Sequence, residues 1–152
     1  MSGKFSGLAE AVSALIEGET DVIAALANVS AAIAMFTDRI NWAGFYLLKG
    51  ETLVLGPFQG KPACARIQLR KGVCGTAAEK REILRVADVH LFPGHIACDE
   101  NSRSEIVLPI FKSGAVFGVL DIDSPDLARF TEKDAEVFGN IAENLSEWIT
   151  AL

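Results

Sequence analysis

The stretch Trp42-Ala-Gly-Phe-Tyr-Leu-Leu-Lys-Gly-Glu-Thr-Leu-Val-Leu-Gly-Pro-Phe58 contains two apolar runs separated by a turn signal. Aromatic and aliphatic runs of this length favour extended strands, and Lys49-Gly-Glu51 supplies the reversal between them. The stretch therefore predicts a β-hairpin. A second hairpin is predicted by the same pattern over residues 105–111 and 115–122, with its turn at Lys112-Ser-Gly114.

Two shorter segments extend the predicted sheet. Residues 66–70 alternate polar and apolar side chains, as a strand with one solvated face does, and residues 83–87 form another short strand-like run. Pro109 indicates that its strand lies at an edge or carries a bulge, because proline donates no ladder hydrogen bond. With the two hairpins, these segments predict a mostly antiparallel sheet.

Helical spacing of apolar residues marks both ends of the chain. A short first helix is predicted to end at Gly18, and a second begins after a cap at Thr20 or Asp21. Thr131 caps a last helix to about Thr150, with Asp134 in capping-box position. The apolar positions of the three helices are Leu8, Val12, Leu15, Ile16; Val22, Leu26, Val29, Ile33, Phe36; and Phe138, Ile141, Leu145, Trp148.

Helices at both ends of an antiparallel sheet predict an α+β fold, with residues 1–152 forming a single domain. We expect the terminal helices to cover one face of the sheet. A short helix over residues 72–81 and a long loop are then left for the other face. A ligand pocket capped by that loop is expected there.

Composition narrows the class of function. The net charge of −6 argues against binding to nucleic acid or to an anionic membrane surface, since both need a positive face. The N-terminal residues lack the apolar core of a signal peptide. The chain has three cysteines, an odd number at low density, so a disulfide scaffold is not expected. We expect instead a cytoplasmic protein with free thiols.

The long loop runs Asp88-Val-His-Leu-Phe-Pro-Gly-His-Ile-Ala-Cys-Asp-Glu-Asn-Ser-Arg-Ser-Glu105 and holds both histidines and Cys98. Long loops in compact domains are usually functional or disordered, and Phe92, Ile96 and the Pro93-Gly94 turn favour function. We therefore expect this loop to carry the chemistry.

The cysteines stand at positions 64, 74 and 98, with no Cys-x-x-Cys pair among them. They could be inert buried thiols, but none lies on an obvious core stripe. Cys74 begins a predicted helix, and a helix N-terminus stabilises a thiolate, which favours a reactive role. A zinc site built from His90, His95, Cys98 and perhaps Cys64 is an alternative, although the histidine spacing matches no helical ligand pair.

Three carboxylates are predicted to gather at one end of the second hairpin. Glu105 begins its first strand, whereas Asp121 and Asp123 end its second and project to the same face. They could be a solvated strand end. Alternatively they bind a ligand ammonium group, or include a carboxylic acid with a raised pKa that donates a proton.

The segment Asn41-Trp-Ala-Gly-Phe-Tyr46 supplies an aromatic wall. Trp42 and Tyr46 share one face of their strand, and each has a polar atom that needs a partner. They could line a pocket for a small, partly apolar ligand, whereas Phe45 on the opposite face is expected in the core.

Several strings together resemble the free methionine-(R)-sulfoxide reductases, which are built on a GAF-domain fold. The matching strings cover nearly the whole chain from the second helix to the last. They are Asn41-Trp-Ala-Gly-Phe-Tyr46, Leu55-Gly-Pro-Phe-Gln-Gly-Lys-Pro-Ala-Cys64, Gly72-Val-Cys-Gly-Thr76, Asp88-Val-His90, Phe92-Pro-Gly-His-Ile-Ala-Cys-Asp99, Ser102-Arg-Ser-Glu105 and Gly118-Val-Leu-Asp-Ile-Asp-Ser124.

The resemblance implies a six-stranded antiparallel sheet between helices and reduction of free L-methionine-(R)-sulfoxide to methionine. It implies no bound cofactor or metal, with thioredoxin as the external reductant. By position, Cys98 matches the nucleophile, and Cys74 and Cys64 match the cysteines that form disulfides. Glu105, Asp121 and Asp123 match the carboxylates that hold the substrate and assist proton transfer, with Glu105 or Asp123 as the proton donor. Trp42 and Tyr46 match the aromatic side of the pocket.

The resemblance leaves alternatives open. A GAF-type sensor would bind a small molecule without turnover, but sensors usually adjoin an output domain, and none is expected here. The sequence does not say whether Cys64 or Cys74 resolves the oxidised nucleophile. A homodimer through the terminal helices is possible for this fold.

Overall fold

The computed structural model describes residues 7–95 and 100–152 and confirms the predicted α+β architecture. Four helices and six strands are present in this part of the chain. In chain order they are α1 (Leu8–Ile16), α2 (Val22–Phe36), β1 (Trp42–Lys49), β2 (Thr52–Gly60), β3 (Arg66–Gln68), α3 (Gly72–Lys80), β4 (Leu84–Val86), β5 (Ser104–Lys112), β6 (Ala115–Ser124) and α4 (Glu132–Ala151). None of the helices in these ranges is both long and apolar enough to cross a bilayer.

The strands form one antiparallel sheet in the order β3-β2-β1-β6-β5-β4. Both predicted hairpins are present, and β1 and β6 pair at the centre of the sheet. The two short strands occupy the edges. β4 pairs with β5 only from Glu105 to Val107, so Pro109 lies beyond the end of β4. A register shift follows at Ile110/Phe111, so of the two alternatives indicated by Pro109 the bulge is found in this strand, whereas β4 is the edge strand.

The terminal helices cover one face of the sheet, as predicted. Apolar stripes of α1, α2 and α4 pack against the inward side chains of the central strands, which include Phe45, Leu108 and Leu120. Asp21 rather than Thr20 caps α2, because its carboxylate accepts from the Ala24 N–H at 2.9 Å.

The predicted capping box at the start of α4 is formed. The Thr131 hydroxyl accepts from the Asp134 N–H, and the Asp134 carboxylate accepts from the Thr131 N–H. Arg129, just before this cap, is 6% exposed and lies 3.0 Å from Asp134 and 3.2 Å from Asp38. The backbone N–H of Arg129 donates to the Ser104 hydroxyl. The ion-pair network around Arg129 is thereby linked to the start of β5.

The opposite face carries a second apolar cluster under α3, including Leu53, Val73 and Val119. Elsewhere in the sheet, the backbones of β1 and β6 approach closely at Gly118, which has the same strand parity as the core residue Leu120. A Cβ atom at Gly118 would lie 2.3 Å from the Tyr46 carbonyl oxygen. Only glycine therefore fits this position without a shift of the strands.

The predicted lengths of the two single strands were wrong. The strand expected over 66–70 ends at Gln68, because the chain turns: Lys71 N–H donates to the Gln68 carbonyl, and Arg70 has φ 72°. The strand expected over 83–87 is confined to Leu84–Val86, where it has β5 as its partner. The long loop begins with a short 3-10 helix, Val89–Leu91, capped by Asp88.

Candidate functional site

A pocket lies on the face of the sheet that the terminal helices leave open. β1, β5 and β6 form its floor, and α3 and the segment after β2 form its sides. The side chains that line it include Trp42, Tyr46, Ile67, Cys74, His95, Ser102, Glu105, Asp121 and Asp123. Six of the eight residues predicted as site residues are therefore brought together.

The predicted carboxylate cluster is confirmed by the strand register. Glu105 on β5 is paired with Asp123 on β6, and Asp121 is paired with Val107, two residues further along β5. Both aspartates project to the pocket side. Antiparallel pairing thus places three carboxyl groups at one end of the hairpin.

The first turn of α3 adds Cys74 to the cluster. Its thiol donates to the Glu105 carboxyl group, with Sγ 3.8 Å from Oε2. Polar atoms of Cys74, Glu105 and Asp121 all lie within 4.8 Å of one another. All three residues are buried, so little water is available to screen their charges.

Burial raises the pKa of the Glu105 carboxyl group well above its usual range, and the neighbouring Asp121 raises it further. Burial raises the pKa of Asp121 as well, with Asp123 as the next cause. The cluster therefore favours the protonated form of these carboxyl groups more strongly than water does. A carboxyl group in this state can donate a proton to a ligand.

The expectation that the helix N-terminus stabilises a Cys74 thiolate was wrong. Burial raises the pKa of the Cys74 thiol well above its usual range, and Asp121 and Glu105 add to the shift. Desolvation and the nearby carboxyl groups both disfavour a negative charge on the sulfur at this position. Cys74 is therefore held as a neutral thiol.

The aromatic wall is formed as predicted. The Trp42 ring stacks on Phe58, with centroids 5.1 Å apart, and on Tyr46, with centroids 5.9 Å apart. The indole N–H donates to the Lys61 carbonyl at 3.1 Å, and the Tyr46 hydroxyl donates to the Cys64 carbonyl at 2.9 Å. The wall therefore holds the segment between β2 and β3. Burial raises the pKa of Tyr46 above its usual range, so its hydroxyl stays protonated.

The cysteines differ in oxidation state. Cys64 is half-buried beside the aromatic wall and is disulfide-bonded, whereas Cys74 is a free buried thiol. Cys98, predicted as the nucleophile, lies outside the described residues. The structure thus distinguishes the two cysteines that the sequence left equivalent.

The zinc site considered as an alternative lacks one of its candidate ligands, Cys64. The rings of His90 and His95 lie 6.3 Å apart, but Cys64 has no thiolate to offer while it is disulfide-bonded. Across residues 7–95 and 100–152, the group whose geometry could hold a metal ion is Cys74, Glu105 and Asp121. Its donors would first have to lose their protons. Burial, with His90 nearby, lowers the pKa of His95, which favours a neutral ring at the pocket.

Ser102 was not predicted as a site residue on its own account. It is 6% exposed and lines the pocket, and its hydroxyl oxygen accepts a hydrogen bond from the Asn41 side-chain amide at 3.1 Å. A serine in a polar loop carries no pattern that indicates its direction. Its contact with Asn41, 61 positions away in sequence, arises because β6 pairs with both β1 and β5.

A model of the GAF domain matches residues 12–147. The chain is 52% identical over 135 residues to the free methionine-R-sulfoxide reductase of Escherichia coli, covering 89% of this chain and 82% of that protein. The fold also matches the solved free methionine-R-sulfoxide reductase of Neisseria meningitidis in complex with its substrate. That match has a TM-score of 0.90 and 42% identity, and covers 97% of this chain and 91% of the other.

A putative GAF sensor protein from Burkholderia vietnamiensis is also similar. Its TM-score is 0.89 at 48% identity, with 99% of this chain and 98% of that chain covered. The GAF fold implied by the sequence motifs is therefore confirmed.

Proposed function

Because the chain belongs to the GAF domain family and, within it, to the free methionine-R-sulfoxide reductases, we propose that it reduces free L-methionine-(R)-sulfoxide to L-methionine. One observation carries the proposal: a single buried pocket joins three carboxyl groups to an aromatic wall. This combination suits a small ligand with an ammonium group, a sulfoxide and an apolar methyl group.

The proposed reaction starts with the Cys98 thiolate, which attacks the sulfoxide sulfur. The sulfoxide oxygen needs a proton, and Glu105 supplies it because burial raises the pKa of its carboxyl group and so favours the protonated form. The oxygen passes to Cys98, which becomes a sulfenic acid, and methionine leaves. The substrate sulfur gains two electrons and the cysteine sulfur loses two, so the step is balanced.

Cys64 is the proposed resolving cysteine. Of the two cysteines among the described residues, Cys64 is disulfide-bonded, whereas Cys74 is a buried thiol that donates to Glu105. Cys98 is the remaining cysteine of the sequence. In the proposal, the Cys64 thiolate attacks the sulfenic sulfur of Cys98, a disulfide forms and water is released.

The carboxyl groups also explain selectivity for the free amino acid. In the proposal, Asp121 and Asp123 bind the α-ammonium group of the substrate, while Trp42 and Tyr46 contact its apolar end. A residue inside a peptide has no ammonium group to offer. The buried Asp121 carboxylate would then gain no counter-charge from the substrate, which is costly.

The proposal also includes the source of electrons. Thioredoxin reduces the disulfide by thiol exchange, and no bound cofactor is needed. A cycle of this kind requires a reducing compartment, which the cytoplasm provides. Self-association as a homodimer is part of the proposal and is tested by light scattering at several protein concentrations.

Turnover of each sulfoxide epimer tests the proposal. The assay contains thioredoxin, thioredoxin reductase and NADPH, and compares wild type with Cys98→Ser. We expect NADPH loss with the R epimer alone and none with the variant. Absence of turnover with either epimer, in folded and reduced protein, refutes the enzyme proposal.

A sensor that binds the same ligand without turnover is the second candidate, and the similarity to the Burkholderia protein favours it. For a sensor, Cys98→Ser should leave ligand affinity unchanged while wild type shows no turnover. Calorimetry with methionine sulfoxide, run beside the turnover assay, separates the two functions.

A further inference from the structure

The pocket is rich in acceptors, and three of the six side chains with donors that line it are already engaged, while Lys71, His95 and Ser102 are the other three. The Trp42 indole donates to the Lys61 carbonyl, the Tyr46 hydroxyl donates to the Cys64 carbonyl, and the Cys74 thiol donates to Glu105. A ligand would have to break one of these bonds to use its donor. The aromatic wall and the thiol are therefore poor partners for an anionic group.

Ser102 differs from these donors. Its oxygen accepts from Asn41, and within the described part of the chain the hydroxyl donates no hydrogen bond. A buried hydroxyl that accepts one bond but has no partner for its hydrogen is uncommon in a folded protein. Because Ser102 is 6% exposed and lines the pocket, its hydrogen can be directed to a ligand there.

Backbone bonds fix Ser102 close to the carboxylate cluster. The Asn41 N–H donates to the Asp123 carbonyl at 3.0 Å, and the Arg103 N–H donates to the Ser124 carbonyl at 2.7 Å. These bonds attach Asn41, and Arg103 next to Ser102, to the end of β6. The hydroxyl is thus placed by the same strand that carries the aspartates.

A free amino acid brings two opposite charges into this region, both attached to one carbon. When its ammonium group contacts Asp121 or Asp123, its carboxylate lies only a few ångströms away and is repelled by the same residues. A hydrogen-bond donor beside the cluster offsets part of that penalty. A hydrogen bond to a charged acceptor is also among the stronger ones.

We propose that the Ser102 hydroxyl donates a hydrogen bond to the α-carboxylate of the bound amino acid, and that Asn41 is a positioning residue that directs this hydroxyl. The inference rests on the proposed function for the identity of the ligand. It adds a donor for the carboxylate, and so a second reason why the free amino acid is selected.

Ser102→Ala tests the proposal with two substrates, methionine-(R)-sulfoxide and its α-carboxamide, which has a similar size but no negative charge. We expect kcat/KM for the acid to fall about 10- to 100-fold, mostly through KM, because a hydrogen bond to a charged group is lost. The carboxamide should lose only a few-fold, since the bond lost is between neutral groups. The preference for acid over amide is therefore reduced in the variant.

Three further variants separate positioning from a general structural role. Ser102→Thr keeps the hydroxyl and should restore most of the preference, whereas Asn41→Ala should reduce it. Asn144→Ala is the matched control, since Asn144 donates to the Ser13 hydroxyl at the same 3.1 Å on the exposed surface. It should leave both substrates unaffected.

Equal losses for acid and amide in Ser102→Ala, or no loss for either, would overturn the inference. Calorimetric binding of methionine and methioninamide to wild type and variant makes the same comparison without turnover. Failure of the proposed function would show as absent turnover in the wild type. Failure of the inference would show as an unchanged acid-to-amide preference in the variant.

Discussion

Glu105→Gln removes a proton donor while keeping the size of the side chain. The carboxyl group is 8% exposed, lies 3.8 Å from the Cys74 sulfur, and has a pKa raised by burial and by Asp121. Glutamine can still form hydrogen bonds but cannot act as an acid. Because general acid catalysis contributes about 10²- to 10⁴-fold, we expect kcat to fall by that factor, or about 3–5 kcal/mol of barrier.

Single-turnover quench experiments from pH 6 to 9 measure the chemical step directly. Wild-type rates should fall as the pH rises through the raised pKa of Glu105, because the acid loses its proton. That high-pH decline should be absent from the residual rate of Glu105→Gln. Glu136→Gln is the matched control: its side chain is 65% exposed, and neither rate nor pH profile should change.

Glu105→Gln should lower the reaction rate but raise the free energy of unfolding at high pH, relative to wild type. Since the folded pKa of Glu105 exceeds its unfolded value, its contribution is complete at low pH and is lost as the pH rises through the folded pKa. Glutamine has no such loss. Urea unfolding at pH 6 and pH 9 should therefore show the variant gaining stability relative to wild type as the pH rises.

The kinetic result decides the role of Glu105. If kcat of Glu105→Gln lies within about threefold of wild type, the assignment of Glu105 as the acid is refuted.

Two other predictions concern the ion-pair network and the cysteines. Arg129→Met should lower the free energy of unfolding by about 3–5 kcal/mol because it leaves the Asp134 carboxylate buried without a cation, whereas Arg39→Met, at a side chain 56% exposed, should cost under about 1 kcal/mol. Equal shifts of the two urea midpoints would contradict this reasoning. Cys64→Ser should accumulate a sulfenic acid after one turnover, detected by dimedone adduct mass, whereas Cys74→Ser should still form the disulfide. The reverse pattern would make Cys74 the resolving cysteine.

The sequence predicted those parts of the fold that depend on local spacing. The capping box at Thr131 and the carboxylate cluster follow from positions a few residues apart or from one hairpin register. Strand alternation likewise placed Trp42 and Tyr46 together on the pocket side. These features need no knowledge of distant contacts, which is why the sequence was sufficient.

Other features depend on what lies across the pocket. Cys74 loses the benefit of its helix N-terminus because α3 packs it against Glu105, which belongs to another element. The direction of Ser102 depends on Asn41 at the start of β1. The short edge strands depend on where a partner strand ends. Spacing along the chain carries no information about these contacts.

The aromatic wall gives the protein an optical probe of its own. The chain has two tryptophans, and Trp42 lies buried in the pocket, while Trp148 on α4 donates to the Glu19 carbonyl away from it. Trp148→Phe would therefore leave an emission spectrum that comes from the pocket alone. Both a ligand against the ring and a change of the disulfide beside it alter the indole's surroundings. Binding and redox steps could then be followed in real time without an attached label.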